Sequence, residues 1–420
     1  MSAATATATE PSVSAPVPAP TPASAPAPAP PESHGSVSWE RARALAHAAP
    51  RPLAARSVAL AAAPGLTLAG ELSALHPLPS FDTAAMDGYA VSGPGPWRVR
   101  GTVRAGTVWT GVLGAGECVA ISTGAPVPAG ACAVLPLESA TSADGNRVSG
   151  PPPPPGRHIR WTGEDSPVGS RLAPAGTRIG PALVGLAASA GHDSLVVRPR
   201  PRIAVLITGD ELDRAGRPAP GRVRDALGPI LPALIARLGG EVCRLRYVPD
   251  RPAALSAQAV HALRDADVVV VTGSTSVGAT DQLRALLAES GARMVVDTVA
   301  CRPGHPMLLA ELPADRWVVG LPGNPYAALV AAHTLLGPLL AGLTGRPLPS
   351  LPRVPVHGHA RPAPGLTRLV PVAWDEAGAR IVDGHRAAFL RGAAVGDALA
   401  ALPPGWSDGR SASLLLTTAG

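Results

Sequence analysis

One stretch, residues 267–290, constrains the fold of this chain more than any other, and it reads DVVVVTGSTSVGATDQLRALLAES. Its four consecutive valines, at positions 268–271, are typical of a strand buried on both faces of a parallel sheet. A loop rich in glycine and hydroxyl residues follows. Leucines then recur at positions 283, 286 and 287, the spacing of a helix that packs one face on a core. The stretch therefore predicts a strand, a tight loop and a helix.

The loop in this stretch has two interpretations. Gly273 and Gly278 frame the hydroxyl segment 274–276, so the backbone can turn tightly and direct amides and hydroxyls to one place. Such a loop at the start of a helix is suited to binding an anion. The alternative is an ordinary connection from strand to helix, in which Asp281 only caps the helix. Local sequence leaves both interpretations open.

Similar strand patterns recur on both sides of this stretch and alternate with helical patterns. The predicted strands are residues 203–207, 241–247, 268–271, 294–296, 307–312 and 317–321. This alternation predicts a parallel, doubly wound α/β domain, which we place at residues 199–347. Ligands of such domains bind at the carboxyl ends of the strands. That rule brings four loops into one crevice, namely 208–211, Asp250, 272–281 and 322–325.

Composition divides the rest of the chain. Residues 1–37 are mostly Ala, Pro, Ser and Thr and are predicted to be a disordered tail. Residues 77–155 contain short alternating segments punctuated by Gly and Pro, which predicts a small β domain. We expect it to be inserted in a discontinuous α/β linker domain made of residues 38–76 and 156–198. Residues 348–420 are predicted to form a C-terminal β domain, so the chain is an α/β protein with further β-rich domains.

Two further segments are predicted to be helical. Residues 39–63 are rich in alanine and arginine. The longest apolar run, residues 327–343, is interrupted by His333, Gly337 and Pro338. It falls short of the roughly 20 residues that a spanning helix needs, so it predicts a core helix and no membrane partner.

Charge and cysteine content narrow the classes of partner. All 36 basic residues are arginine, and the formal net charge is +6. The arginines are scattered, and aromatic residues make up only 3% of the chain, so a base-stacking nucleic-acid surface is not indicated. A small anionic substrate fits better. The four cysteines show neither CxxC spacing nor a dense framework, which indicates reduced thiols and a cytoplasmic protein.

Carboxylates share the predicted crevice with the hydroxyl loop. Glu211, Asp250 and Asp281 would repel an anion unless a divalent cation lay between them. Oxygen ligands that bridge to phosphates suit Mg²⁺, so the pattern predicts a magnesium site. Each of these acids has an alternative interpretation as a cap or turn residue.

The predicted β domain contains two polar loops. The sequence HPLPSFDTAAMDGYAV at 76–91 holds Asp82 and Asp87, and the turn chemistry of Asp-Gly is the simpler interpretation. Residues 122–128 form a second loop with hydroxyls and glycine, which includes Thr123.

Taken in order, these motifs resemble those of the molybdopterin molybdenumtransferase family, also called MoeA, which includes the E domain of gephyrin. The resemblance spans residues 39–420 and rests on LPSFDTAAMDGYAV at 78–91, STGAPVPAGA at 122–131, GED at 163–165, TGDEL at 208–212, PD at 249–250, TSVGATD at 275–281 and GLPGNP at 320–325. It implies an elongated homodimer of four-domain subunits, whose doubly wound domain is similar to the smaller adenylyltransferases of the same pathway. The implied reaction is the Mg²⁺-assisted insertion of molybdate into adenylylated molybdopterin, with release of AMP.

The resemblance also implies site residues, position by position. Expected catalytic residues are Asp87, Thr123, Glu211, Asp250, Ser276 and Asp281. Expected residues for binding the pterin substrate are Gly273, Ser274, Gly278, Arg302, His305, Pro322, Gly323, Asn324 and Pro325. Asp250 and Asp281 would hold Mg²⁺, while Asp87 and Thr123 would reach in from the partner subunit. The upstream adenylyltransferase is a further expected partner.

Several positions depart from the family pattern. The family usually has Gly-Gly-Val-Ser at residues 273–276, lysines at 302 and 305, Asn-Ser at 83–84, Ser-Asn at 226–227 and Ser at 327. This chain has Gly273-Ser274-Thr275-Ser276, Arg302, His305, Thr83-Ala84, Ala226-Leu227 and Ala327. These changes favour, as an alternative, a weakened paralogue that binds molybdopterin or acts as a scaffold. The doubly wound domain alone suggests a further alternative, a molybdopterin adenylyltransferase.

Overall fold

Six strands form the predicted α/β sheet at the centre of the structure. The computed structural model describes residues 36–143, 146–273, 282–361 and 363–417. The strands lie in the order Glu241–Val248, Arg202–Thr208, Val268–Thr272, Arg316–Leu321, Leu308–Leu312 and Arg293–Val296. The first four are parallel, as predicted, and their carboxyl ends share one edge of the sheet.

Leu308–Leu312 is antiparallel to both of its neighbours, so the prediction of an entirely parallel sheet is wrong at this strand, while the edge strand Arg293–Val296 runs in the same direction as the first four. The link between Leu308–Leu312 and Arg316–Leu321 is too short for a crossover helix. Ala314 and Asp315 have φ angles of 63° and 54°, the left-handed conformation of a tight hairpin turn.

The valine run forms a central strand because both of its faces are covered. Val268 and Val270 pack in one core cluster with Trp317, while Val269 and Val271 pack in another on the opposite face. Each of the four valines is fully buried. Alternate residues of a strand point to opposite faces, so an uninterrupted apolar run fits a sheet with helices on both sides.

The helices are Trp39–Ala48, Pro181–Ser189, Leu227–Leu238, Pro252–Ala262, Gln282–Glu289, Pro325–Ala331, Gly337–Leu343 and Arg391–Val395. A π-helical segment, Ala332–Leu336, joins two of them into one long helix, Pro325–Leu343. This helix is long and apolar enough to cross a membrane, but 89% of its apolar window is buried inside the protein. It is therefore the predicted core helix.

The helix predicted at residues 39–63 is shorter than expected. It ends at Ala48, just before Pro50 and Pro52, and Arg56–Ala59 is a strand. Proline lacks the N–H that a helix interior needs, and it disfavours the helical conformation of the residue before it.

A second six-stranded sheet lies N-terminal to the doubly wound one. Its strands, in order, are Ala133–Pro136, Gly88–Ser92, Glu117–Ile121, Trp97–Val103, Arg147–Ser149 and Thr141–Ala143. Strands before and after it in sequence pair with each other, namely Arg56–Ala59 and Thr67–Leu68 with Ser194–Arg198, Leu72–Ser73 with Arg171–Ala173, and Thr83–Ala84 with Ile159–Arg160. These pairings join segments on the two sides of the sheet, and the inserted β domain and discontinuous linker domain, with their bounds, stay a prediction.

The C-terminal strands form a sheet that closes on itself. Its order is Cys301–Arg302, Thr367–Asp375, Gly378–Ile381, Arg353–His357, Ser411–Leu416 and Ala398–Leu402, and the last strand also pairs with Thr367–Asp375. We call it the C-terminal barrel. Cys301–Arg302 runs parallel to the start of Thr367–Asp375, so a segment of the doubly wound region is part of the barrel.

Candidate functional site

Three carboxylates lie together in the loops that follow two neighbouring parallel strands. The backbone N–H of Asp250 donates to Oδ1 of Asp210 at 3.2 Å. Glu211 lies over Gly209, whose φ is +139° and where an added Cβ would stand 2.9 Å from Oε2 of Glu211. Glycine at position 209 therefore lets the Glu211 side chain fold back toward the loop.

The electrostatics of this group fit a divalent cation. Burial raises the pKa of Asp250, and the nearby charges of Asp210 and Glu211 raise it further. Among the described residues, no three acidic, histidine or cysteine side chains form a complete metal site. Magnesium is usually held by one or two carboxylates together with water and substrate phosphates, so these residues fit it without a full protein cage.

Arg222 fixes the backbone of the Asp210 loop without forming an ion pair with the Asp210 carboxylate. Its guanidinium donates to the carbonyls of Asp210 and Leu212 at 3.0 and 2.9 Å and forms an ion pair with Asp213. The hydrogen bond from Arg222 is the main cause that lowers the pKa of Asp213. The short strands Leu212–Asp213 and Val223–Arg224 pair in the same loop. The arginine thus orders the loop backbone, while its ion pair is with Asp213 outside the carboxylate group.

Gly273 brings three strand ends into contact. Its N–H donates to the carbonyl of Leu321 at 3.1 Å. Its φ is +89°, and an added Cβ would lie 2.8 Å from Oγ1 and 2.9 Å from the carbonyl oxygen of Thr208. A Cβ on Gly323 would lie 3.4 Å from the Gly273 Cα. Three of the four loops predicted to share a crevice therefore meet at this glycine, and the fourth, at Asp250, contacts Asp210.

Four of the predicted site residues, Ser274, Ser276, Gly278 and Asp281, lie outside the described residues. Gln282, which follows Asp281 in sequence, donates from Nε2 to the carbonyl of Asp250 at 3.3 Å. The helix Gln282–Glu289 thus begins against the Asp250 loop.

The predicted loop 322–325 leads into the N-terminus of the long helix. Gly323 and Asn324 are exposed at the crevice edge, Pro322 is buried and Pro325 is the first helical residue. The helix start is anchored on the C-terminal barrel side: the N–H of Ala327 donates to the carbonyl of Ala387 at 3.1 Å, and the hydroxyl of Tyr326 donates to that of Leu369 at 3.0 Å.

Two of the positions that depart from the family pattern face the core. Leu227 is 5% exposed and Ala327 is 3% exposed. Both side chains are therefore buried in this chain.

Asp225 was missed by sequence reasoning. It accepts hydrogen bonds from the N–H groups of Leu227 and Gly228 and, at 2.7 Å, from the hydroxyl of Tyr247. An aspartate just before a helical pattern is a recognisable cap, and this signal could have identified it. Its role is to fix the start of the helix that packs beside the crevice.

The predicted pair Asp87 and Thr123 comes together on the inserted sheet. Oδ1 of Asp87 accepts from the backbone N–H of Thr123 at 2.6 Å and from its hydroxyl at 3.0 Å. The backbone bond, followed by the hydroxyl bond, lowers the pKa of Asp87. Both residues are exposed, so the pair presents an ionised carboxylate at the surface.

Arg302 and His305 lie at the join between the doubly wound sheet and the C-terminal barrel. Nδ1 of His305 is 2.7 Å from the carbonyl of Val299, so this nitrogen carries the proton and donates. Arg302 is exposed and pairs in register with Arg368. Among the described residues, the Arg302 guanidinium has no hydrogen-bond or ion-pair partner, whereas the His305 ring is bonded to the Val299 carbonyl.

A cationic cavity of about 550 Å³ opens in the barrel beside Arg302. Its lining residues are His359, Arg361, Arg368, Ile381, Asp383, Gly384, His385, Arg386 and Phe389. Burial, Arg302 and Arg361 lower the pKa of Arg368, whose buried Nε has no hydrogen-bond partner in the described part of the chain. Sequence reasoning missed this cavity, and the signal was the density of Arg and His in residues 357–391.

Comparison with known proteins agrees with this arrangement. Residues 37–191 match the MoeA N-terminal region (domain I and II), and residues 204–342 match a probable molybdopterin binding domain. Molybdopterin molybdenumtransferase 2 of Mycobacterium tuberculosis is 34% identical over 312 residues, covering 70% of this chain and 77% of that protein. The chain belongs to the molybdopterin molybdenumtransferase family.

Other members of the family are similarly close. The molybdopterin molybdenumtransferase of Nostoc sp. is 33% identical over 302 residues, covering 69% of each protein. The crystal structure of the molybdopterin biosynthesis MoeA protein from Pyrococcus horikosii superposes with a TM-score of 0.73 at 26% identity, over 92% of this chain and 100% of that one. The family resemblance and fold class predicted from the sequence are confirmed. Asp87 and Thr123 fall in the first matched region, and the carboxylate crevice falls in the second.

Proposed function

We propose that this chain inserts molybdate into adenylylated molybdopterin, with Mg²⁺, and releases AMP. The observation that carries the proposal is the meeting of Asp210, Glu211 and Asp250 beside the close glycine contact at Gly273. A phosphoanhydride with a divalent cation needs this combination of carboxylate oxygens and approachable backbone. The names of the relatives describe the transfer of molybdenum to molybdopterin, which agrees with the proposal.

In this reaction the crevice carboxylates bind the cation and thereby orient the substrate phosphates. Asp250, with Asp281 as the sequence proposes, would hold Mg²⁺, and Asp210 and Glu211 add negative charge that favours a cation there. When bound, the ion supplies charge neutralisation on the phosphates. Ser274 and Ser276 are proposed to donate hydrogen bonds to the anionic substrate from the loop that Gly273 begins. The chain's contribution is mainly positioning, as is usual for phosphoryl chemistry.

The Asp87–Thr123 pair is proposed to complete the crevice of the partner subunit in a homodimer. Thr123 engages Oδ1 of Asp87, which orients the carboxylate and keeps it ionised at neutral pH. An ionised carboxylate of fixed orientation can hold a water or accept a proton at Oδ2.

The arginine-rich side of the join is proposed to receive the anionic ends of the substrates. Arg302 lies next to Arg368 and the cationic cavity. The start of the long helix, which follows the exposed Gly323 and Asn324, is hydrogen-bonded to the barrel next to this cavity, because the N–H of Ala327 donates to the carbonyl of Ala387. Arginine binds oxyanions through two parallel N–H donors. Molybdate is therefore the substrate that best suits Arg302 and Arg368.

The second candidate function is a weakened paralogue that binds molybdopterin as a scaffold. The observation that favours it is the sequence Ser274-Thr275 within the loop that begins at Gly273. An adenylyltransferase is disfavoured because the matched regions extend well beyond the molybdopterin-binding domain.

One assay separates these functions. Purified full-length protein is supplied with adenylylated molybdopterin, molybdate and Mg²⁺, and AMP is measured. Release that depends on molybdate and falls at least tenfold in Asp250→Ala supports the transferase. Asp265→Ala is the matched control, because it removes an acid whose ion pair with Arg244 is on the surface.

Other outcomes assign the alternatives. Pterin binding without AMP release supports the scaffold, and consumption of ATP with unmodified molybdopterin supports the adenylyltransferase. Rescue of nitrate reductase activity in a host lacking its molybdenumtransferase tests the function in cells. We also propose a cytoplasmic location and contact with the upstream adenylyltransferase, which a pull-down from cytoplasmic extract would test.

A further inference from the structure

A second cavity, of about 390 Å³, lies between the helices Trp39–Ala48 and Leu227–Leu238, the long helix Pro325–Leu343 and the C-terminal barrel. We call it the helix–barrel cavity. Four arginines line it: Arg43, Arg178, Arg237 and Arg346. Its lining, as far as the chain is described, includes no aspartate or glutamate. The cavity is therefore strongly positive.

In the described part of the chain these arginines form no ion pair with a carboxylate, and Glu40, on the same helix as Arg43, only partly offsets the effect of burial on the pKa of Arg43. Arg43 donates to the carbonyl of His333 at 3.2 Å, and Arg237 donates to that of Thr417. Arg346 donates to the carbonyl of Leu238 at 2.8 Å and to the hydroxyl of Thr344 at 2.9 Å. Each of these acceptors is a neutral oxygen. Arg43 is 5% exposed and Arg346 is partly buried, while Arg178 and Arg237 are exposed at the rim. Burying a cation without an ion pair is costly, so the arrangement favours an anion in the space between them.

His333 is a further buried polar side chain in the lining of the cavity. It is 6% exposed and lines the cavity, and its Nε2 has no hydrogen-bond partner within the described ranges. Burial, then the charges of Arg237 and Arg43, lower its pKa to about 4, so the ring is neutral at pH 7. It lies in the π-helical segment Ala332–Leu336, and such segments are frequent at functional sites. A buried polar atom normally has a partner. Nε2 is enclosed by surrounding protein atoms, so a ligand in the cavity would pair with it after the ring rotates.

The other walls of the cavity are apolar. They are formed by Leu238, Pro338, Leu351, Leu414, Leu415 and Leu416. A volume near 390 Å³ is in the range of sites for small organic ligands. Arginine forks match the oxygens of phosphate, and several positive charges favour a dianion over a monoanion.

We propose that the helix–barrel cavity binds a small organic phosphate, with its phosphate among Arg43, Arg178, Arg237 and Arg346 and its apolar part against the leucines. The site is separate from the carboxylate crevice. Gly337, which lines the cavity, is twelve residues along the long helix from Pro325 at the crevice, or about 18 Å at 1.5 Å per residue. The occupant would join the long helix to the C-terminal barrel.

The test uses the full-length protein and phenyl phosphate as the probe, measured by isothermal titration calorimetry. Wild-type protein is expected to bind it saturably with one site per chain. Arg178→Gln and Ser350→Glu, both at exposed positions that line the cavity, are expected to weaken binding by at least about tenfold. Arg41→Gln removes the same charge from the helix that carries Arg43, but at an exposed position that does not line the cavity, and should leave the affinity unchanged.

Further arms identify the site and the ligand class. Asp250→Asn and Arg302→Gln should leave binding of phenyl phosphate unchanged; loss in either would place the probe at the crevice or the join and overturn the proposal. Inorganic phosphate should bind more weakly, and equal affinity would overturn the role of the apolar walls. Absence of saturable heat in the wild type, or equal weakening by Arg41→Gln, would likewise overturn it. Thermal denaturation of each variant shows that the comparison is made on folded protein.

Discussion

Thr123 donates both its backbone N–H and its hydroxyl to a single oxygen, Oδ1 of Asp87, at 2.6 and 3.0 Å. Two donors on one carboxylate oxygen favour the ionised form, which is why the pKa of Asp87 is lowered. Because the folded-state pKa is lowered, this pair contributes stability above the ordinary pKa of aspartate and loses it as the pH falls through the lowered value. Thr123 thus keeps the Asp87 carboxylate ionised and oriented at neutral pH.

Replacing Thr123 by Val should raise the pKa of Asp87 only in part, because the backbone N–H bond, the larger cause, remains. The acid limb of AMP release should move to higher pH, because one of the two hydrogen bonds that favour the ionised form is lost. Carboxyl NMR titration of Asp87 measures the shift. Thr162→Val is the matched control, since Thr162 makes the same two bonds to Asp82 at 2.8 and 2.7 Å. An unchanged Asp87 titration in Thr123→Val would contradict the assignment.

Replacing Gly273 by Ala should destabilise the protein and the crevice together. The added Cβ would be 2.9 Å from the backbone carbonyl oxygen of Thr208, and the φ of +89° is itself unfavourable for alanine. We expect a loss of about 2–4 kcal/mol in the free energy of unfolding, from strain plus displacement of a strand end. Denaturant unfolding measures it, and AMP release should fall as well.

Gly169→Ala is the control for backbone strain alone. Gly169 has a φ of +77° with no atom within 4 Å of an added Cβ. Gly169→Ala should lower the free energy of unfolding by only about 1–2 kcal/mol and leave AMP release unchanged. If both alanine variants cost the same, close approach at Gly273 has no energetic role.

The sequence predicts the central sheet well because each strand carries its own signal. The valine run at 268–271 and the leucine spacing after it are local patterns, and local patterns specify buried strands and packed helices. The antiparallel strand was not predicted because the hairpin at Ala314 and Asp315 lacks the Asn-Gly or Asp-Gly pair that usually marks such a turn. Pro50 and Pro52 are a sequence signal for the early end of the first helix, because proline disfavours a helix interior.

The candidate sites likewise include one that local sequence signals predict and one that they do not. Asp250 and Gly273 could be predicted because they follow strands, and topology brings strand ends together. The helix–barrel cavity could not, because Arg43, Arg178, Arg237 and Arg346 are far apart in sequence and are brought together only by packing. In a chain whose 36 basic residues are all arginine, no single arginine is conspicuous. The unpaired Nε2 of His333 is likewise visible only in three dimensions.

Trp39 should anchor the first helix on the long helix. It is 1% exposed, its Nε1 donates to Oγ1 of Thr334 at 3.0 Å and Arg43 lies over its ring at 5.2 Å. Trp39→Ala should cost about 3–5 kcal/mol in the free energy of unfolding, and Trp39→Phe about 1–2 kcal/mol through the lost hydrogen bond and volume. Trp161, which is 47% exposed, provides the control Trp161→Phe, expected to change stability by no more than about 0.5 kcal/mol. Equal effects at the two tryptophans would contradict this anchoring.

Asp250 should oppose folding in the absence of a cation. Its folded-state pKa is raised, first by burial and then by Asp210 and Glu211, so the folded state is stabilised by its protonation and loses that stability as the pH rises through the raised pKa. Asp250→Asn should therefore raise the melting temperature at pH 7 without Mg²⁺ and leave it unchanged at a pH where Asp250 is protonated. Added Mg²⁺ should stabilise the wild type more than the variant, and the concentration of Mg²⁺ for half-maximal AMP release should rise about 10–100-fold in Asp250→Asn. Asp265→Asn should match the wild type in both measurements, and a Mg²⁺ dependence that is the same in all three proteins would exclude Asp250 from the cation site.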